Sequence, residues 1–171
     1  MNADIPQHAD AITIRNVDPD DREPWAALYR QYAAFYRAEM DEDILRRMWS
    51  WLMRPEHPEE GIVAAKTNGE LVGLAHYRPY PKPLLGREAG YLDDLYVAGA
   101  HRGQGIGRGL IAAVAAIAHA RGWPLVRWIT ARDNDEARRL YDGVARATDW
   151  VTYDLKPDGY GGPTGRLRPQ R

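Results

Sequence analysis

The chain has 171 residues, with 23 lysines and arginines against 24 aspartates and glutamates, and no cysteine. At roughly 150 residues per domain this is one domain with a real core. The missing cysteine excludes disulfides, thiolate metal sites and a cysteine nucleophile. A net charge of −1 argues against sequence-independent nucleic-acid binding, which needs a basic excess.

Residues 1–10 are polar and are expected to form a flexible N-terminus. No basic stretch followed by an apolar run opens the chain, so no signal peptide is expected. No run of about 18 apolar residues occurs, so no membrane span is expected either. The expectation is a soluble cytoplasmic protein.

Ala11 to Val17 alternates through Ile12, Ile14 and Val17 and predicts a first strand. Asp18-Pro19-Asp20-Asp21 supplies turn and cap residues. From Pro24 to about Met40 the pattern is helical, with Trp25, Leu28, Tyr29, Tyr32, Phe35 and Tyr36 forming one aromatic stripe. A second helix is predicted over Glu42 to Met53, ending before Pro55. Gly61 to Thr67 and Glu70 to Tyr77 flank Asn68-Gly69, a strong hairpin signal. Pro79 to Pro83 reads as a loop and Gly90 to Val97 as a strand. A long helix follows, with Ile106, Leu110, Val114 and Ile117 on its buried face and Gly122 as its C′ residue. Leu125 to Thr130 is a strand. Asp133 to Ala145 is a helix with Asp133 as N-cap and Glu136 at capping-box spacing. Thr148 to Leu155 is a final strand. From residue 157 the chain is rich in Gly, Pro and Arg without an apolar face, which predicts a disordered tail. The folded domain is thus expected over 11–156. The order βααβββαβαβ predicts an α/β protein, a mixed sheet with helices on both faces.

The central signal is Arg102-Gly103-Gln104-Gly105-Ile106-Gly107 between a strand and a helix. Closely spaced glycines let backbone N–H groups converge, and a helix N-terminus adds partial positive charge there. A Cβ at these positions would hold phosphate oxygens away from the amides. The same glycines would also suit a helix start that merely needs freedom, but each costs about 1 kcal/mol against alanine inside a helix. The bend therefore points to a pyrophosphate. No Gly-Lys-Ser/Thr is present, so it is not a Walker loop. Gly107-Arg108-Gly109-Leu110-Ile111-Ala112 matches a dinucleotide fingerprint on paper but falls inside the predicted helix, after four strands, in the wrong order for that fold.

These residues resemble the acyl-CoA pyrophosphate loop of the GCN5-related N-acetyltransferases (GNAT), Arg-x-x-Gly-x-Gly after a strand. Tyr91-Leu92-Asp93-Asp94-Leu95-Tyr96-Val97 resembles the strand before that loop. Asp133 to Tyr141, with its Asn134 and its Leu140-Tyr141 pair, resembles the family's later helix. The resemblance runs from about Ile12 to Leu155. It implies a GNAT fold, a mixed sheet of about 6–7 strands flanked by about four helices. Within the family the chain looks most like the polyamine and histone/polyamine acetyltransferase-like subgroup, where an acidic pair precedes the strand end. That subgroup often has glutamate where Asp93 stands, which gives a base role here a shorter arm.

The resemblance implies acetyl-CoA as donor, a primary amine as acceptor, and direct transfer in a ternary complex. Backbone groups of Leu95, Tyr96 and Val97 are expected on the pantetheine, where an N–H would steady a developing oxyanion. The bend from Arg102 through Gly103, Gln104, Gly105, Ile106 and Gly107 to Arg108 is expected on the diphosphate. Asn134, Ala137 and Tyr141 share one helix face, with Asn134 on the pantetheine, small Ala137 admitting it closely, and Tyr141 as proton donor to the leaving thiolate. A primary amine near pKa 10 is neutral only about once in a thousand at pH 7, so a carboxylate must draw off its proton; Asp93 is the candidate. Strand alternation places Asp93 and Asp94 on opposite faces unless a bulge intervenes.

For the acceptor, Tyr29, Tyr32, Asp93 and Trp128 are the expected contacts. Aromatic faces with carboxylates suit a cation, although a stripe at helical spacing is also what core packing produces. A small cationic amine or polyamine is favoured; a lysine on a protein or peptide and a non-catalytic acyl-CoA-binding module are the alternatives. The five histidines show no ligand spacing, so no metal is expected. No nucleic-acid or membrane partner is expected, and a homodimer through C-terminal strands is compatible with the family.

Overall fold

The computed structural model describes residues 11–155. The expected flexible N-terminus and the expected tail from residue 157 lie outside them. β2 (Glu60–Lys66) and β3 (Leu71–Lys82) form the hairpin predicted at Asn68-Gly69, with Gly69 at φ 87° supplying the left-handed residue of the turn. β1 (Ile12–Asn16) pairs antiparallel with β2, and β3 pairs antiparallel with β4 (Arg87–Val97). β5 (Val126–Arg127) adds to β4 in parallel, so the five strands lie in chain order across one mixed sheet.

Both faces of the sheet are covered, which is why β2 and β3 read as near-continuous apolar runs. On one face α1 (Arg22–Tyr36) and α2 (Glu42–Leu52) bring Trp25, Leu28, Leu45 and Met48 onto Val63, Leu71 and Leu74. On the other, α3 (Ile106–Ala120) packs Ile106, Leu110 and Val114 onto Ile62, Ala64, Val72 and Leu92. α3 ends as predicted at Gly122 (φ 68°), with the Trp123 N–H returning to the Ala118 carbonyl at 2.9 Å. Trp123 then lies over Gly90, where a Cβ would stand 2.6 Å from its ring. That close approach seats β5 against β4.

Four expectations change. Pro79 to Lys82 is strand, not loop: Pro79 and Pro81 lie opposite Gly90 and Glu88. β2 stops pairing at Tyr77, so beyond it β3 is an edge, where prolines spaced two apart cost no ladder bond. α1 ends at Tyr36 rather than near Met40, because Arg37 turns left-handed at φ 54°. α4 (Asp135–Asp142) is shorter than expected and its N-cap is Asn134, whose side chain accepts from the Ala137 N–H. Finally, Thr148 to Leu155 forms no strand among the described residues. Trp150 and Tyr153 stand 82% and 89% exposed. A strand needs an edge to pair with, and β5 is two residues long where six were expected. Among the described residues the order is βααβββαβα, with five strands where about six or seven were expected.

Candidate active site

The site begins with a bulge. His76 on β3 faces Asp94 on β4 while Tyr77 faces Leu92, which leaves Asp93 as the extra residue. A bulge bends and twists its strand. Just before it, the pairing of β4 with β5 stops at Tyr91 and Arg127. From Leu92 onward β4 has no strand on that edge, and the main chain at Leu95, Tyr96 and Val97 borders a cavity of about 310 Å³ instead.

The cavity floor is the glycine bend. Gly103 (φ 73°), Gly105 (φ 80°), Ile106, Gly107 and the N-terminal turn of α3 line it. A Cβ at Gly103 or Gly105 would meet nothing within 4 Å: the space beside both is open, as a ligand held by main-chain amides requires. Gly105 is the N-cap of α3 and no side chain caps that helix end, which leaves its first N–H groups for a ligand. Asn134, Ala137, Leu140 and Tyr141 of α4 form one wall, and Tyr32, Phe35 and Tyr36 of α1 another. Arg102 crosses the rim, its Nε donating to the Val97 carbonyl at 3.2 Å and its Nη1 meeting Glu136 on α4 at 3.2 Å.

Tyr141 is half-buried, and burial, with Tyr36 nearby, pushes its hydroxyl up to about 12. It is therefore protonated at neutral pH. Its ring packs edge-on against Trp128 at 5.4 Å, and Trp128 lines a second recess beside β5 rather than the first cavity.

Behind the aromatic wall lies a buried polar chain. The Trp25 indole N–H donates to His76 Nε2 at 2.9 Å. An indole only donates, so Nε2 is unprotonated and the proton of the neutral ring sits on Nδ1. Nδ1–H then donates to Asp94 Oδ2 at 2.8 Å, and the Tyr29 hydroxyl donates to the same oxygen at 3.0 Å. Burial alone would raise the Asp94 carboxyl; hydrogen bonds from His76, Tyr32 and Tyr29 outweigh it and hold the group below the usual range. Burial and the Asp94 charge push the Tyr29 and Tyr32 hydroxyls far above theirs, so both remain donors. Asp93 instead pairs with Arg78 at 3.0 Å. Burial raises its carboxyl despite that arginine. Arg78 and His76 are two apart on β3 and share a face, so Asp93 and Asp94 share it too. The bulge overrides the alternation that would have separated them.

Residues 25–143 match the Acetyltransferase (GNAT) family. The D-amino-acid N-acetyltransferase HPA3 of Saccharomyces cerevisiae is 34% identical over 152 residues, which is 88% of this chain and 93% of that one.

The chain belongs to the GNAT acetyltransferases.

It is an acyl-CoA-dependent N-acetyltransferase. Among solved structures, the ribosomal-protein-alanine N-acetyltransferase of Brucella melitensis biovar Abortus 2308 is 30% identical with a TM-score of 0.68, covering 85% of this chain and 99% of its own. The aminoglycoside N-acetyltransferase AAC(6')-Iy, solved with CoA, superposes at a TM-score of 0.76 over 90% of this chain and 99% of its own; at 18% identity that likeness shows the fold alone.

In this GNAT chain the expected cofactor residues Leu95, Tyr96, Val97, Arg102, Gly103, Gly105, Ile106, Gly107, Arg108, Asn134 and Ala137 meet at one cavity together with Tyr141. Gln104 is not part of its lining. Of the expected acceptor residues only Tyr32 reaches it; Tyr29 stacks behind Tyr32 at 5.8 Å, Asp93 is held outside by Arg78, and Trp128 stands on the far side of Tyr141. Tyr36 of the aromatic stripe lines it beside Tyr32, and Phe35, His101, Glu136 and Leu140 join the lining without having been singled out as contacts. His76 was missed as the partner of Asp94, because only the β3–β4 register brings them together, and Trp25 as the partner of His76, because only the packing of α1 on the sheet does. No helix among the described residues is long and apolar enough to cross a membrane, and none of their His, Asp and Glu side chains group to hold a metal ion.

Proposed function

We propose that the chain moves acetyl from acetyl-CoA directly to the primary amine of a small cationic acceptor. The observation that carries this is a single cavity joining the glycine bend, the free edge of β4, the Asn134–Ala137–Tyr141 face and an aromatic wall backed by Asp94. Acetyl-CoA supplies an acetyl group already activated as a thioester. Main-chain N–H groups of Gly103 to Gly107 would hold its diphosphate, with Arg108 at the rim. Leu95 to Val97 would pair the peptide-like arm and steady the carbonyl oxygen. Tyr141 would donate a hydrogen bond to the departing sulfur. An acid near 12 facing a thiol near 8.5 does not give up its proton in bulk water; contact geometry in a closed cavity makes the donation effective.

On the acceptor side, Tyr32 and Tyr36 present ring faces to an ammonium. Asp94 attracts and orients it, because a carboxylate held low by three donors stays ionised. Asp93, the carboxylate chosen from the sequence, is neutralised by Arg78 and adds to the field from behind. The reading rests on a chain folded over 11–156 and acting in the cytoplasm, in line with the absence of cysteine. We also assign the exposed segment from Thr148, with Trp150, Val151, Tyr153 and Leu155, to a homodimer contact at the short β5 edge. A second reading, an amino acid as acceptor, is favoured by the 34% identity to a D-amino-acid N-acetyltransferase; a protein or peptide amine is the third.

The test is release of free thiol from acetyl-CoA across a panel of diamines, monoamines, D-amino acids and lysine peptides. Diamines should turn over fastest. Tyr141→Phe should retain CoA binding and lose about 100- to 10,000-fold in kcat, the usual range for a lost acid. Unchanged turnover in that variant removes Tyr141 from the mechanism.

A further inference from the structure

The cavity floored by the glycine bend suits an anion, yet a carboxylate lines it. Its titratable side chains, tyrosines aside, are His101, Arg102, Arg108 and Glu136. The first three can donate to a diphosphate; Glu136 can only oppose one. Glu136 stands in the first turn of α4, where the helix N-terminus favours an acidic group. Asp135 in the same turn already serves that end and does not line the cavity. The position of Glu136 therefore calls for a second reason.

Its ion pair supplies one. Glu136 Oε2 lies 3.2 Å from Arg102 Nη1. Arg102 opens the glycine bend, and its place does not depend on this pair. Its Nε donates to the Val97 carbonyl at 3.2 Å. Its guanidinium lies over the Phe35 ring at 5.2 Å and the Tyr96 ring at 5.8 Å. Contacts from β4 and α1 thus fix the guanidinium at the cavity, and Glu136 changes what a ligand feels from it. A guanidinium with a carboxylate at 3.2 Å presents little net field to a further anion. The pair also engages an N–H that a phosphate oxygen would otherwise take. Arg108, at the same cavity, has no carboxylate partner among the described residues; its Nη1 meets the Gly143 carbonyl at 3.4 Å.

We infer that Glu136 limits how tightly the donor is held: it offsets the charge of Arg102 beside the diphosphate, so that CoA leaves readily after each turnover. This rests on reading the bend as the diphosphate site, and it concerns affinity and product release rather than the chemical step. Acetyl-CoA and CoA carry the same diphosphate, so a tighter grip on it strengthens both equally. Such uniform binding does not lower the barrier between bound substrate and transition state. It slows product release, which limits turnover in many enzymes.

Calorimetry with CoA on the full chain decides this, in the parent, Glu136→Gln, Arg102→Gln and the double variant. Glutamine keeps the size and the acceptor oxygen of Glu136 and removes the charge. Kd for CoA should fall about two- to fivefold in Glu136→Gln at low salt, the range of an exposed ion pair. The gain should shrink in about 0.5 M salt. In the Arg102→Gln background the same change should bring about half of that gain or less. Product inhibition by CoA should strengthen in step with Kd. A gain in affinity does not arise from a poorly folded chain, and Glu136→Ala provides a second variant in which it should appear. Tighter binding in neither variant, an equal gain with and without Arg102, or a gain undiminished by salt would each overturn the inference. The diphosphate reading fails separately. In that case CoA does not bind the parent chain, or Gly105→Ala leaves its Kd unchanged, and the role of Glu136 falls with it.

Discussion

Replacing Gly103 or Gly105 by alanine tests the floor of the cavity, and two other glycines separate its causes. Gly103 and Gly105 sit at φ 73° and 80°, and an ideal Cβ on either meets nothing within 4 Å. The cost in the free protein is therefore conformational alone: about 1–2 kcal/mol for an L-residue held left-handed, reduced by roughly 0.4–1 kcal/mol because the unfolded chain loses freedom too. A net loss of about 1 kcal/mol lowers Tm by roughly 2–4 °C in a chain of this size. Gly86 shares the conformation (φ 59°) and the open surroundings but lies in the β3–β4 turn. Gly86→Ala should lose the same stability. Gly99, open but without a left-handed φ, should lose none. Binding distinguishes them further. A methyl group in the bend displaces at least one amide from a charged phosphate oxygen, a contact worth about 1.5–3 kcal/mol. Kd for CoA should thus rise roughly 10- to 150-fold in Gly103→Ala and Gly105→Ala only. Thermal denaturation gives the first quantity and calorimetry with CoA the second. If the two bend variants bind CoA as Gly86→Ala does, the diphosphate is not held there.

Asp94→Asn should cost about 1–3 kcal/mol in urea denaturation, since a neutral amide faces the His76 and Tyr29 donors, whereas Asp93→Asn, half-exposed beside Arg78, should cost under about 1 kcal/mol. Equal losses would contradict the buried chain. Glu59 has a folded-state carboxyl raised from 4.5 to about 8; its contribution is fully present below about 4.5 and is lost as pH rises through 8. Glu59→Gln should therefore gain stability over the parent at pH 9 relative to pH 5, by about 2 kcal/mol once partial solvent access is discounted. A gain that is flat across that window would show the carboxyl is not strained. Ending the chain before Thr148 should convert a dimer into a monomer in analytical ultracentrifugation; an unchanged mass would place the contact elsewhere.

Local chemistry along the chain determines much of the site. The glycines of the bend, the i, i+3, i+7 face of Asn134, Ala137 and Tyr141, the Asn68-Gly69 hairpin and the Gly122 helix end all depend on residues a few positions apart, so their physics is written in short stretches of chain. The bulge at Asp93 is different. It exists because β3 and β4 pair with one residue in excess, a property of two strands at once, and it moved Asp93 and Asp94 onto one face and Asp94 against His76. The width of the opening beside Leu95 depends likewise on where β5 ceases to pair. Periodicity within one segment carries no record of a neighbour's register. For that reason the glycine bend and the helix face that line the cavity were legible along the chain, while the surroundings of Asp93 and Asp94 were set only when the sheet closed around them.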